Sequence, residues 1–438
     1  MILMLGAVLG AGWAMAQDSP AWEPSQPLTL AQAVERTLQA HPEVRSALAS
    51  VQRAQAAAVV GRSRQWPQLS ADWAVRESQS LSRPVNVGGA VVQASGARQT
   101  QRDAELSLSY TVYETGLADS VKRLQVLAAA SQAGLPDVHR VLTYEVRSAY
   151  YTALAGWRRA TVALKSLAAA ERHRELVQAR IEAGSAPRSD LLPIEVEVAR
   201  ARLDSVRAET ALQVAHATLR ALLVLPPETP LELADALPEG TLQPEVGAWL
   251  EVAEKSRPDL QAQRLNVRAS ELGKKVAEDG RGVQLSATAA GDWGRHTGTT
   301  GETWQLRLGA SYPLFDAGAA RAQAQSARAE ETMARERLES LRLDLQVEVE
   351  SACRQLRQAA AAIEAASAAR TSAADSLRAA EIRYREGLAI IIEVTDAQVS
   401  LSQAEVEEVQ TRYDYALALA ALSRAVGAEV TPAAGETR

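Results

Sequence analysis

The side chains able to do covalent or metal chemistry are few in this chain, and none is spaced to do it. Its five histidines, His41, His139, His173, His216 and His296, are scattered without the short intervals that let two imidazoles grip one metal. The single cysteine, Cys353, sits in a charged run of helix formers. Alone it forms no intrachain disulfide and reads as a packed bystander. No G-x-S-x-G elbow, phosphate loop or dinucleotide fingerprint occurs, and the glycine-rich stretch from Gly6 to Gly12 lies in an apolar leader. The expectation is no catalysis, no cofactor and no bound metal. A formal net charge of -6 with no basic patch or tail also argues against nucleic acid as a partner.

With 438 residues, 47% hydrophobic and 23% charged, the chain suits two or three ordinary domains or one elongated one. Ile2 to Trp13 are almost wholly apolar and Ala14-Met15-Ala16 forms an A-x-A cleavage site, so residues 1–16 read as a signal peptide. The competing reading is the start of a buried helix. No Lys or Arg precedes the apolar core, which points to a true start upstream, and no cysteine follows the cleavage site to carry a lipid. Residues 17–27 and 428–438 read as flexible tails. Past the leader no stretch approaches the ~18 apolar residues of a membrane helix, so any membrane crossing must be made by strands.

The remainder is written twice. Ser109-Tyr110-Thr111-Val112-Tyr113-Glu114-Thr115-Gly116 matches Ser311-Tyr312-Pro313-Leu314-Phe315-Asp316-Ala317-Gly318 at an offset of 202 residues. Arg180-Ile181-Glu182-Ala183-Gly184 matches Arg383-Tyr384-Arg385-Glu386-Gly387 at 203. Upstream, Pro42-Glu43-Val44 pairs with Pro258-Asp259-Leu260, and Gln68-Leu69-Ser70 with Gln284-Leu285-Ser286, both at 216. The narrowing offset puts extra residues into the first half, in the Gly- and Ser-rich stretch from Ser78 to Thr100. The reading is a tandem duplication of residues 28–224 and 247–427, joined by the Pro-rich linker 225–246.

Within each half the hydrophobic period switches. Leu69, Ala71, Trp73 and Val75 alternate with polar residues, as do Ala104, Leu106, Leu108, Tyr110 and Val112. Val283, Leu285, Ala287 and Ala289 repeat the pattern, and so do Trp304, Leu306, Leu308, Ala310 and Tyr312. Period 2 predicts strands at about 68–76, 104–113, 283–293 and 303–314, each with one apolar and one polar face. Each is long enough to cross a bilayer when tilted. Trp73, Tyr110, Trp293, Trp304 and Tyr312, with Trp66, Tyr113 and Phe315, fall in the same windows. They suit the aromatic girdle of a membrane barrel, although a soluble β-sandwich filled by aromatics would give similar strands.

The rest reads as helix. Ala319 to Arg385 holds no glycine or proline, and Ala118 to Ile181 is interrupted only by Gly134-Leu135-Pro136 near its start and by Gly156. A helix of about 65 residues runs roughly 100 Å, and the alanine runs would let neighbours approach closely, as in coiled coils. The long helices end at Gly184 and Gly387, placed for left-handed caps, with tips at 184–189 and 387–392. Returning helices follow, Asp190 to Val224 and Glu393 to Gly427. Shorter ones, Leu30 to Gly61 and Pro258 to Asp279, precede the strand pairs.

Four membrane strands cannot close a barrel by themselves, since eight is about the minimum and an open edge in hydrocarbon costs several kcal/mol per amide. Several copies must therefore share one barrel. Periodicity permits a dimer of eight strands or a trimer of twelve.

The duplicated order of helix, strand pair, long helix, glycine turn and long helix resembles the TolC family of outer-membrane efflux channels, from about Leu28 to Gly427. Supporting motifs are Leu28-Thr29-Leu30 with Pro42-Glu43-Val44, Tyr312-Pro313-Leu314-Phe315-Asp316-Ala317-Gly318, and Arg383-Tyr384 through Gly387 to Asp396-Ala397-Gln398. Tyr413-Asp414-Tyr415 and a terminal Leu422 to Gly427 complete the set. The resemblance implies an α+β membrane protein. Its homotrimer would form a twelve-stranded β-barrel in outer-membrane lipid, continued by an α-helical coiled-coil barrel in the periplasm. It implies a passive conduit in a tripartite efflux or type I secretion system, with a periplasmic adaptor protein and an inner-membrane transporter as partners. A non-conducting periplasmic coiled-coil scaffold or adaptor is the alternative; it explains the helices and leaves the strands unexplained.

The family carries acidic residues six positions after each tip glycine, at the periplasmic aperture. Here these are Asp190 and Glu393, with Asp396 one turn beyond. In a trimer each would form a ring that attracts cations, although acids also suit a helix's first turn for capping alone. Relatives shut the aperture by polar links between hairpins. Tyr384 and Asp190 match one such link, while the arginine expected two residues after the second glycine is Ala389, with Arg188 as a candidate substitute. Gly184 and Gly387 shape the tips. The apolar run Leu388-Ala389-Ile390-Ile391-Ile392 reads as an adaptor-docking surface or as packing against the other hairpin.

Overall fold

The computed structural model of the chain describes residues 27–79, 83–87, 90–94, 98–238, 242–280, 282–296 and 299–430. The expected signal peptide, residues 1–16, lies outside the described residues. The first half runs α1 (Leu30–Ala40), α2 (Pro42–Ser63), β1 (Gln68–Gln79), β2 (Arg83–Val87), β3 (Ala90–Ala94), β4 (Arg98–Glu114), α3 (Leu117–Glu182) and α4 (Leu191–Leu222). The second runs α5 (Val246–Ser256), α6 (Pro258–Glu278), β5 (Gln284–His296), β6 (Thr299–Ser311), α7 (Ala319–Arg385) and α8 (Ile391–Val426). The order repeats except for the β2–β3 hairpin, which occupies the surplus residues of the first half. No described helix is long and apolar enough to cross a membrane.

Several expectations are corrected. The helix expected over Leu30 to Gly61 is two helices, because His41 is extended (φ −69°, ψ 136°) and Pro42 starts the second. Pro at the first helical position loses no hydrogen bond that the helix could make. The same break recurs at Arg257-Pro258, so α5 is the counterpart of α1 and was missed within and just past the linker. Conversely, Gly134-Leu135-Pro136 does not interrupt α3, which is continuous for 66 residues. A mid-helix proline costs about 3 kcal/mol, and the fully buried Leu142, Val146 and Tyr150 in the turns that follow hold the helix together. Strand β6 stops at Ser311 rather than 314, because Pro313 has no N–H to give a ladder. At the other end, Val430 is buried and its N–H donates to Ser423 Oγ at 3.2 Å, so the tail begins later than 428.

Two compact units can be distinguished. One comprises the described parts of Met1–Gln39, Val146–Pro238 and Ala365–Ala416 and carries the hairpin tips. The other comprises those of Ala40–Glu145, Glu239–Glu364 and Leu417–Arg438 and carries the strands. In the tip-bearing unit the linker is strapped down. Leu28 bridges Leu233 in parallel, and the buried Tyr150 hydroxyl donates to the Leu28 carbonyl at 2.8 Å and meets Asp235 at 2.9 Å.

In the strand-bearing unit the sheet order is β1-β4-β5-β6, every neighbouring pair antiparallel. Residues opposite one another share a face, so register decides what each face presents. Leu69 opposes Leu108, which opposes Ala289, which opposes Leu306. Ala71, Leu106, Gly291 and Trp304 form the next row, and Trp73, Ala104 and Trp293 the one after. All four apolar series thus lie on one face, and that face is bare: Trp73 is 75% exposed and Trp304 84%. The other face carries Ser70, Ser107, Ala290 and Gln305 in one row and Asp72, Glu105, Asp292 and Thr303 in the next.

The helices of this unit converge on a buried arginine. Arg257 donates to Asp259 at 2.9 Å, to Glu348 at 2.6 Å and to the Ala425 carbonyl at 3.0 Å. Arg424 reaches the other oxygen of Glu348 at 3.1 Å, and Arg140 donates to the Arg424 carbonyl at 2.6 Å, so α3, α6, α7 and α8 are joined. Burial alone would raise the carboxyls of Asp259 and Glu348; the hydrogen bonds and charge of Arg257 more than cancel it and hold both below the ordinary range. Stability from depressed carboxyls is present above about pH 4 and is lost as pH falls through the folded values. Arg257→Leu leaves Glu348 with Arg424 alone and Asp259 with only Arg140, 4.0 Å away. It should lower stability at pH 7 by about 3 kcal/mol, read as an earlier thermal loss of the helical circular-dichroism signal.

Candidate functional site

Both hairpin tips turn by the same device. Gly184 and Gly387 adopt φ of 71° and 73°, the left-handed region that side-chain-bearing residues avoid. The Ser185 N–H reaches the Arg180 carbonyl at 2.8 Å and the Gly184 N–H the Ile181 carbonyl at 3.0 Å. Leu388 to Arg383 at 2.8 Å and Gly387 to Tyr384 at 3.1 Å repeat the pattern. These are Schellman closures, which satisfy the last carbonyls of each long helix. Past Gly184 the chain makes a single 3-10 turn, Arg188–Asp190, before α4.

The apolar run after Gly387 is split by helix geometry. Leu388 and Ile390 are 73% and 62% exposed, and Ile392 is exposed too. Ile391, expected in the docking surface, is instead 4% exposed and packs with Ile194, Val198, Tyr384 and Val394. As the first residue of α8 it points to the core side, so the run is divided between packing at Ile391 and exposed apolar side chains at Leu388 and Ile390.

Polar contacts at the tips also depart from expectation. Asp190 stands at the N-cap of α4 but makes no side-chain cap bond. Its φ and ψ of −71° and −15° are helical, whereas a capping side chain needs an extended backbone to reach the next turn. The expected link from Tyr384 to Asp190 is not made: the Tyr384 hydroxyl is buried with no hydrogen-bond partner. Its ring is covered by the Arg180 guanidinium, 4.6 Å from the centroid, and Arg180 Nη1 donates to the Tyr384 carbonyl at 3.1 Å. Glu393 is paired with Arg383 at 3.1 Å, a contact between α7 and α8 that the sequence reading missed. Asp396 lies exposed one turn on, and Arg188 is exposed at the head of the 3-10 turn.

Deeper in the same unit is a group that sequence reasoning passed over. Glu197 on α4, His173 on α3 and Glu381 on α7 approach one another, with His173 Nδ1 4.0 Å from Glu197 and Nε2 3.6 Å from Glu381. His173 was noticed only as an unsuitable metal ligand, and among the described residues no cluster fit for a metal occurs. Two open grooves flank the group. One, of about 650 Å³, is lined by His173, Glu381 and Tyr384, and the other, of about 910 Å³, by Glu197, Asp396 and Arg200.

On the sheet, the aromatics fall into two belts. Trp73, Trp293 and Trp304 occupy neighbouring rows towards the β5–β6 turn. Tyr110 lies six residues along β4 from the Trp73–Ala104 row, about 20 Å at a strand's rise. Tyr312 stands just past the end of β6 on the helix side, exposed. Between the belts the apolar face holds, among the described residues, only aliphatic residues and glycine.

The sequence profile of the family described as outer membrane efflux protein matches residues 33–224 and 249–428. Protein CyaE of Bordetella pertussis is 28% identical over 279 residues, 59% of this chain, and the match spans 56% of that relative's length. The pyoverdine export outer membrane protein OpmQ of Pseudomonas putida is 25% identical over 97% of this chain and 92% of its own. Among solved structures, the Campylobacter jejuni CmeC outer membrane channel superposes with a TM-score of 0.79 at 15% identity, over 92% of this chain and 86% of that one. The outer membrane protein VceC of Vibrio cholerae gives 0.77 at 18% identity, over 91% and 96%. The chain belongs to the outer membrane efflux protein family.

Proposed function

We propose that this chain is one third of an outer-membrane channel, a passive conduit from periplasm to exterior in an efflux or secretion system. The observation that carries this is the two-faced sheet. Its apolar face, belted by aromatics, is solvated well only by lipid. Its other face aligns Asp72, Glu105 and Asp292 side by side. Like charges directly opposite are destabilising, and water on that face screens them, as the lumen of a pore would. Copies joined edge to edge, β6 of one to β1 of the next, close twelve strands and leave no amide unpaired in hydrocarbon. A scaffold without a pore has no use for such a sheet.

The helical hairpins then form the periplasmic part, with Asp190, Glu393 and Asp396 near the aperture. Leu388 and Ile390 project from the second tip as exposed apolar side chains, suited to an adaptor protein that links the channel to an inner-membrane transporter.

Purified protein in a planar bilayer should carry stepwise, cation-selective currents. The combined substitution of Asp190→Asn, Glu393→Gln and Asp396→Asn should lower the cation preference with the channel still open. A wild-type protein that never conducts overturns the channel, and an unchanged preference overturns the acidic aperture. A photo-crosslinker in place of Ile390 should capture a periplasmic adaptor in whole cells; capture of this chain alone would overturn the docking surface.

A further inference from the structure

Glu197 is an acid set into an apolar core. It is 8% exposed, and neither carboxylate oxygen has a hydrogen-bond partner. His173 Nδ1 lies 4.0 Å from it, itself without a hydrogen bond, while Nε2 of the same ring lies 3.6 Å from Glu381. Next to them or one turn away along each of the three helices stand members of a single apolar cluster: Ala170 and Val177 on α3, Ile194 and Val198 on α4, Ala380 and Tyr384 on α7. The three polar groups therefore sit where the first hairpin packs against the second.

We propose that Glu197, His173 and Glu381 form a proton-operated latch between the two helical hairpins, closed while the cluster holds a shared proton and loosened when that proton is lost. With the proton bound, either the Glu197 acid faces a neutral Nδ1, or an imidazolium lies between two carboxylates. Both arrangements carry one net negative charge and put a donor against each acceptor. Without it, the buried Glu197 carboxylate faces a neutral ring whose Nδ1 has only a lone pair to offer it, while Glu381 stays partly exposed beside Arg385. Buried charge without a partner is among the costliest things a core can hold.

Other charges line the grooves beside the cluster. Arg159, Lys165 and Arg172 come from α3, Arg200 and Asp204 from α4, and Asp396, Glu405 and Glu407 from α8. Arg385 on α7 lies 3.8 Å from the far oxygen of Glu381. Burial pushes the Glu197 carboxyl up to about 7. Burial also lowers the His173 imidazole, against the raising pull of the Glu381 charge and with a smaller lowering push from Arg172. Because the Glu197 value is raised on folding, its contribution is fully present below its ordinary 4.5 and is lost as pH rises through about 7. The depressed His173 acts the other way, losing its contribution as pH falls through its lowered value. Packing is therefore tightest on the mildly acid side of neutrality and slackens on the alkaline side.

The use of such a latch in gating rests on the channel reading; its existence does not. Hydrogen exchange of the full-length protein in detergent, corrected for the intrinsic pH dependence of exchange, tests it without any current. Between pH 6 and 8.5, protection over 190–200 and 377–394 should fall about threefold to tenfold, with a midpoint near 7 and no change in the strands. Glu197→Gln, neutral at every pH, should abolish the response and keep the acid-side protection. Glu197→Leu should do the same should the amide disturb folding, and Glu197→Asp should retain the response. Equal wild-type protection at both pH values, or a fall that persists in both neutral variants, overturns the latch. A protein that passes this test yet never conducts would overturn the channel instead.

Discussion

The open outer edges of β1 and β6 set the terms for the rest of this chain. Each strand has a neighbour on one side only, so every second backbone group points outward without a partner. In water those groups would be hydrated at little cost, but the exposed apolar face of the same sheet makes water a poor solvent for it. Lipid reverses both judgements: it accepts the face and penalises the edges by several kcal/mol per group. The conflict disappears when another copy of the chain adds its strands at each edge. In the proposed oligomer, symmetry would follow from hydrogen bonding, and the duplicated sequence would supply two strand pairs to each copy.

The tips pose the opposite problem, since there the chain is surrounded by water and must turn sharply. Left-handed glycines and Schellman closures satisfy the helix ends locally, which frees nearby side chains for other work. Ile391 turns inward to anchor the second hairpin and leaves Leu388 and Ile390 outside. The ion pair of Arg383 with Glu393 is exposed and so contributes little to stability, yet it fixes where the Glu393 carboxylate sits. Glu197 and His173, by contrast, lie inside, where the same types of group become sensitive to a single proton.

What could be read from the sequence was what is local or periodic. Alternation of Leu106, Leu108 and Tyr110 with polar residues gave the strands, the offset between Gly184 and Gly387 gave the duplication, and these glycines marked the turns. Boundaries failed where one residue acts through its backbone: Pro313 ended β6 early, and Pro42 split the first helix. Pro136 failed in the other direction, because the buried residues beyond it outweigh its local cost. Contacts between distant segments left no signal at all. Arg257 and Glu348 are 91 residues apart, and the cluster at His173 draws its acids from two other helices. The capping expected of Asp190 was plausible by residue type and failed on backbone angle.

The proposed channel stands or falls on copies of this chain sharing one closed barrel. Native mass spectrometry of the protein released from membranes in lipid-mimetic particles counts those copies directly. Three chains in each particle, with the strands intact, is the result the account predicts. A single chain per particle would contradict it, because four strands cannot close and the edges of β1 and β6 would be left open in lipid.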